Sequence, residues 1–216
     1  MWNARIIRSL LYITALVTTT VPAASEDCEV DVWEESRSSD TCIIEYEHLS
    51  NQETEPFLFL GYVMNSEQAR WRQFRRAIHE YPDVLSCLIE EERSKEPPNL
   101  LKFDWERVGY GRGAEVCLFR ISRSLSDLDR IQNWLSFHQF KVLGYHRTRS
   151  EGFVPYRESE PVGKVFAYWT TSQLRERKPS ALWSLLGYDP LLRYEVVIGM
   201  SEEFQAVGVS IVTPTQ

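Results

Sequence analysis

The sequence predicts an α+β fold, with a mixed, mostly antiparallel sheet of about seven or eight strands and about four helices. Two kinds of pattern carry that prediction. Apolar runs of strand length recur at residues 57–64, 115–121, 164–170, 192–200 and 205–213. Elsewhere apolar residues fall at helical spacing, most clearly Trp71, Phe74, Ile78 and Tyr81, then Leu128, Ile131, Leu135 and His138. Glycine and proline separate these segments, and no repeat interrupts them.

Residues 1–25 read as a secretory signal peptide. Arg5 and Arg8 supply the positive start, residues 10–21 the apolar stretch, and Pro22-Ala23-Ala24-Ser25 the small residues for cleavage. An apolar stretch of about a dozen residues is short of the ~20 that span a bilayer, and no later stretch is longer. The expected mature protein is therefore exported, periplasmic or secreted, without a transmembrane segment. Residues 26–216 are expected to form one α+β domain around one core, with subdivision near residue 150 as the alternative. In an oxidising compartment the four cysteines, Cys28, Cys42, Cys87 and Cys117, suggest two disulfides. Of the three connectivities, the local one is expected: Cys28–Cys42 and Cys87–Cys117.

Charge is unevenly distributed. Residues 26–56 hold eleven acidic side chains against Arg37 alone, while the rest of the expected mature chain is close to balanced. Such a surface suits solvent or a basic partner, and it disfavours nucleic acid because phosphate repels it.

Within the body, residues 42–49 read as a strand with Ile44, Tyr46 and His48 on one side. Residues 57–64 read as a central strand, apolar on both faces. Asn65 and Ser66 are predicted to cap a helix ending at Tyr81-Pro82, with a possible capping box through Gln68. On that helix Arg72, Arg75, Arg76 and His79 lie about a quarter turn from the apolar stripe. They form the densest positive surface in the chain and the candidate binding residues. Residues 84–94 are predicted helical, with Cys87 and Leu88 inward and Glu90, Glu91 and Glu92 in water.

The stretch 101–146 is predicted as strand, glycine turn, strand, helix, strand. Phe103 and Trp105 alternate with Asp104 and Glu106, so residues 101–108 read as a half-buried strand. Gly109, Gly111 and Gly113 then suit a hairpin turn. Residues 115–121 form the return strand. Ser124 or Ser126 caps the next helix, and residues 140–145 are a strand. Strand–helix–strand would make a right-handed crossover if its strands were parallel neighbours. Residues 147–162 read as a surface loop, 164–170 as a strand, 171–178 as a helical turn, and 179–187 as a short helix stopped by Gly187. Residues 192–200 and 205–213 form a hairpin. The segment from the short helix through this hairpin resembles the end of small periplasmic helix-plus-sheet modules of outer-membrane assembly factors, a likeness over under a quarter of the chain.

Catalytic motifs are missing. There is no Gly-x-Ser-x-Gly, no His-Glu-x-x-His, no Cys-x-x-Cys and no phosphate-loop signature. No catalytic residue, metal ligand or cofactor is assigned. The expected function is a non-catalytic protein-binding module, such as an inhibitor, immunity or envelope interaction protein. The alternative is a small exported hydrolase acting on cell-wall or glycan substrate through a carboxylate pair in a tryptophan-walled cleft.

Overall fold

The computed structural model describes residues 42–148, 160–177 and 192–214. Among these, six strands and five helices form an α+β fold. Helix α3 (Arg112–Leu125) carries the core: residues 114–122, 124 and 125 are all buried. Helix α1 (Trp71–Glu80) packs on one side of it, through Phe74 and its neighbour Phe57. Phe57 in turn meets Phe119 of α3 edge-on at 5.3 Å. Helices α2 (Trp105–Val108) and α4 (Leu128–Phe137) flank α3 in sequence.

The larger sheet is an antiparallel meander in chain order. It runs through β3 (Lys141–Arg147), β4 (Gly163–Thr170), β5 (Arg193–Met200) and β6 (Ala206–Val212). Alternation buries Val165, Ala167 and Trp169 of β4 and Tyr194, Val196, Ile198 and Met200 of β5 on the face towards the helices. Helix α5 (Thr171–Arg177) follows β4 directly. A second, two-stranded sheet is a tight hairpin, β1 (Leu58–Phe59) and β2 (Tyr62–Val63), which lies on β6.

Several predicted elements stand: α1, α4, β3, β4, the turn that becomes α5, and the β5–β6 hairpin. The central unit is corrected. Residues 115–121 are helix, not strand. A helix wrapped on all sides is apolar all round and so has no face period to read. Asp104 alternates with its neighbours because it caps α2, accepting the Arg107 amide at 2.9 Å, and not because it lies on a strand. The glycine stretch joins two helices, not two strands. Gly109 ends α2 at φ 72°, and a Cβ on Gly113 would lie 2.6 Å from the Val108 carbonyl oxygen. With β3–β6 all antiparallel, there is no crossover.

Other expectations need smaller corrections. Residues 42–49 join no sheet. Residues 57–64 are a hairpin bent at Leu60-Gly61, not one central strand. Residues 84–94 hold two short 3-10 turns, Leu85–Cys87 and Glu90–Glu92. Glu92 is buried, not in water, since its carboxylate takes the Asn99 amide at 3.0 Å and pairs with Lys95. The cap of α4 is Asp127, which accepts the Arg130 amide at 2.9 Å. Ser126 instead ends α3 in the left-handed region. Asn65 accepts the Glu67 amide in a turn ahead of α1, whose first residue is Trp71. Three predicted strands are lost, at residues 42–49, 101–108 and 115–121, and one is gained where 57–64 splits into β1 and β2, which leaves six strands in place of about seven or eight.

A Cys87–Cys117 disulfide ties the first 3-10 turn to α3 across 30 residues. Cys42 has no disulfide partner among the described residues, and Cys28, its expected partner, lies outside them. So do the signal-peptide stretch, residues 26–41, most of the loop at 147–162 and the short helix at 179–187. Replacing both partners, Cys87→Ala with Cys117→Ala, is expected to lower unfolding stability by about 3 kcal/mol in urea titration. A loss under about 1 kcal/mol would mean that the link constrains an unfolded chain already held compact.

Candidate functional site

Three places gather the polar and aromatic groups that bear on function. The first is the outer face of α1. Its stripe of Phe74, Ala77 and Ile78 is buried, which turns Arg72, Arg75, Arg76 and His79 outward, and all four are exposed. Arg76 makes an i,i+4 ion pair with Glu80 at 3.6 Å, and His79 meets the Trp71 ring edge-on. Arg72 and Arg75 make no ion pair, hydrogen bond or ring contact among the described residues. Every other described arginine makes at least one: Arg70 lies over Phe59, Arg112 pairs with Glu115, Arg123 with Glu55, and Arg147 with Glu202. The predicted binding residues therefore do form one surface.

The second place is a groove of about 380 Å3 between the β1–β2 hairpin, α3 and the β5–β6 turn. Leu58, Val63, Phe119 and Val207 supply its apolar lining, and Glu55, Arg123, Ser201, Glu203 and Gln205 its polar groups. Sequence reading missed it, because its parts come from three separated segments. Buried Arg120 positions one wall. Its guanidinium donates to the Glu55 carbonyl and the Gln52 side chain, pinning the 52–55 loop to α3. Burial lowers the Arg120 pKa to about 10, and it remains charged at neutral pH. The pinned loop presents Glu55, whose carboxylate accepts from Arg123 Nε at 2.7 Å and meets His48 Nε2 at 2.8 Å. Burial alone would raise the Glu55 pKa, but the hydrogen bonds from His48 and Arg123 outweigh it and hold the carboxyl below its usual range.

Two carboxylates, Glu55 and Glu203, thus line the groove, but Glu55 is held ionised by its partners. That suits a structural anion and not a proton donor. None of the described tryptophans lines it.

The hairpin beside the groove carries a conformational cost. Its two-residue turn places both Leu60 (φ 51°) and Gly61 (φ 79°) at positive φ. Asn-Gly or Asp-Gly is the usual choice for this turn. Leucine in the left-handed region costs about 1–2 kcal/mol. Packing offsets little of it, since Leu60 is 51% exposed. The turn is seated by the Gly61 amide, which donates to the Val207 carbonyl at 2.8 Å. It crosses β6 so closely that a Cβ on Gly208 would lie 2.8 Å from the Leu60 nitrogen.

The third place is internal. Phe103, Trp105, Trp134 and Phe137 surround the His138 ring, Trp169 meets Trp105 edge-on and stacks on Phe140, and each of these three indole N–H groups is satisfied. Trp105 donates to His138 Nδ1 at 3.0 Å, Trp134 to the Leu100 carbonyl at 2.8 Å, and Trp169 to the His138 carbonyl at 2.9 Å. These tryptophans are core and not a binding face. His146 lies near the far end of β3, against Phe166, so the two histidines do not meet. Among the described residues no group of three His, Cys, Asp or Glu side chains is arranged to hold a metal ion. No helix there is long and apolar enough to cross a membrane.

Because Nδ1 accepts, the His138 proton sits on Nε2, which is buried and has no partner among the described residues. Burial, with Arg177 nearby, pushes the His138 pKa down from 6.5 to about 3. Above pH 6.5 the ring is neutral in both folded and unfolded chains, and its contribution to stability is complete. As pH falls from 6.5 towards 3, only the unfolded chain takes up the proton and stability is lost. The expected slope approaches about 1.4 kcal/mol per pH unit. His138→Gln, which keeps an acceptor for Trp105, should flatten that limb of the stability–pH curve. An unchanged slope would assign the acid sensitivity to other groups.

No protein-family model matches the chain, and no curated protein and no solved structure matches it.

Proposed function

We propose that this chain is an exported, non-catalytic protein-binding module that holds an acidic surface of a partner on the outer face of α1. The observation that carries the reading is that Arg72 and Arg75 have no partner among the described residues, whereas every other described arginine has one. Guanidinium groups held on one rigid helix face, with Arg76 beside them, suit the fork geometry of carboxylates. Export accords with the signal-like residues 1–25 and with a disulfide whose two cysteines are fully buried. Nucleic acid is disfavoured as the partner by a net charge of −7. A glycan hydrolase finds less support, since Glu55 is committed to Arg123 and His48.

The test uses disulfide-intact protein as bait in envelope extract, beside the triple variant Arg72→Glu, Arg75→Glu, Arg76→Glu. All three side chains are exposed, so the urea midpoint should stay within error of the parent. Affinity for the captured partner should fall at least about tenfold and weaken with salt in the parent only. Equal capture by both proteins would remove the arginine face from the interface.

A further inference from the structure

The groove beside the β1–β2 hairpin is a second surface, independent of the arginine face. We propose that it is an anchor pocket for a partner polypeptide that inserts one large apolar side chain and sets a lysine or arginine beside Glu203.

Shape, charge and backbone conformation point to that occupant. At about 380 Å3 the groove lies near the lower end of ligand pockets, about 300–1,000 Å3, which suits a side-chain anchor better than a cofactor. Its apolar walls come from three elements. Leu58 and Val63 are cross-strand partners on one face of the hairpin, Phe119 projects from α3, and Val207 from β6. Interfaces draw much of their energy from such anchors in small apolar pockets.

The charges select the neighbour of the anchor. Glu55 is already neutralised by Arg123 and His48. Glu203 lines the same groove, is exposed, and makes no ion pair or hydrogen bond among the described residues. The groove therefore has an unmatched negative charge at its rim, and a cation next to the anchor complements it.

Leu60 identifies a polypeptide and not a small molecule as occupant. Its side chain lies outside the cavity, exposed at the hairpin tip, where a ligand confined to the groove would leave it bare. A left-handed leucine is retained at a turn where asparagine would be easier, and backbone cost of this kind clusters at binding sites. A chain that seats its anchor between Leu58 and Val63 would pass over Leu60 and cover it.

The probes are blocked tetrapeptides, Ala-Trp-Lys-Ala, Ala-Trp-Glu-Ala and Ala-Ala-Lys-Ala, titrated at low salt into disulfide-intact protein while the methyl NMR signals of Leu58, Val63 and Val207 are followed. Ala-Trp-Lys-Ala should shift these methyls saturably and bind about two- to fivefold tighter than Ala-Trp-Glu-Ala. Ala-Ala-Lys-Ala should leave them in place. Glu203→Gln should abolish the preference for lysine over glutamate. Leu60→Asn should weaken binding while the thermal midpoint holds or rises, which separates loss of contact from loss of fold. The proposal is overturned if the methyls do not move with Ala-Trp-Lys-Ala, if they move equally with Ala-Ala-Lys-Ala, or if the lysine preference survives Glu203→Gln. None of these outcomes depends on Arg72, Arg75 or Arg76.

Discussion

Helix α3 is enclosed on every side, and a charged residue on such a helix is tolerable only if it finds a partner within the core. Glu115 and Arg120 both do, and each contact positions something else. The Glu115 carboxylate accepts the Ile211 amide at 2.8 Å, closing an outward-facing donor of edge strand β6, and it holds Arg112 at the start of the helix. Arg120 grips the 52–55 loop from the opposite direction. The disulfide adds a third tie, to the turn at residues 85–87. Strand edge, loop and turn are thereby referred to one helix.

That arrangement decides which groups remain for function. The pinned loop delivers Glu55 to Arg123, so the most deeply placed acid near the groove is neutralised by the scaffold. Trp105, Trp134, Trp169 and His138 are consumed in a core where these three indole donors are all met. Outward, among the described residues, lie a helix face with unmatched cations and, separately, an apolar groove with an unmatched carboxylate. On the proposed reading, these preorganised surfaces of opposite charge on a disulfide-tied frame serve recognition.

Legibility of the sequence followed periodicity. Helix α1 was readable, down to the placement of Arg72, Arg75, Arg76 and His79, because one face is buried and the other is wet. Strands β4 and β5 and the turn between β5 and β6 were readable for the same reason: one face is buried and the residues between are half-exposed. Helix α3 was not, since burial on all sides erases the pattern that separates a helix from a central strand. Asp104 misled because a capping acid between aromatic residues mimics alternation. The groove was invisible because Glu55, Phe119 and Val207 meet only in the folded chain, and Leu60 was unremarkable until its φ was known. The Cys87–Cys117 link was legible from the even cysteine count and the preference for local pairing, although the elements it joins were misassigned.

On the proposed reading, recognition runs through surfaces that α3 holds in place. The most direct measurement is a hydrogen-exchange footprint of the captured partner on the disulfide-intact chain. Added protection is expected on two separate patches, the 71–80 helix and the segments at 58–63 and 203–207, with the α3 amides already at their limit in the free protein. Protection confined to the outer face of the β3–β6 sheet, with both patches unchanged, would contradict it.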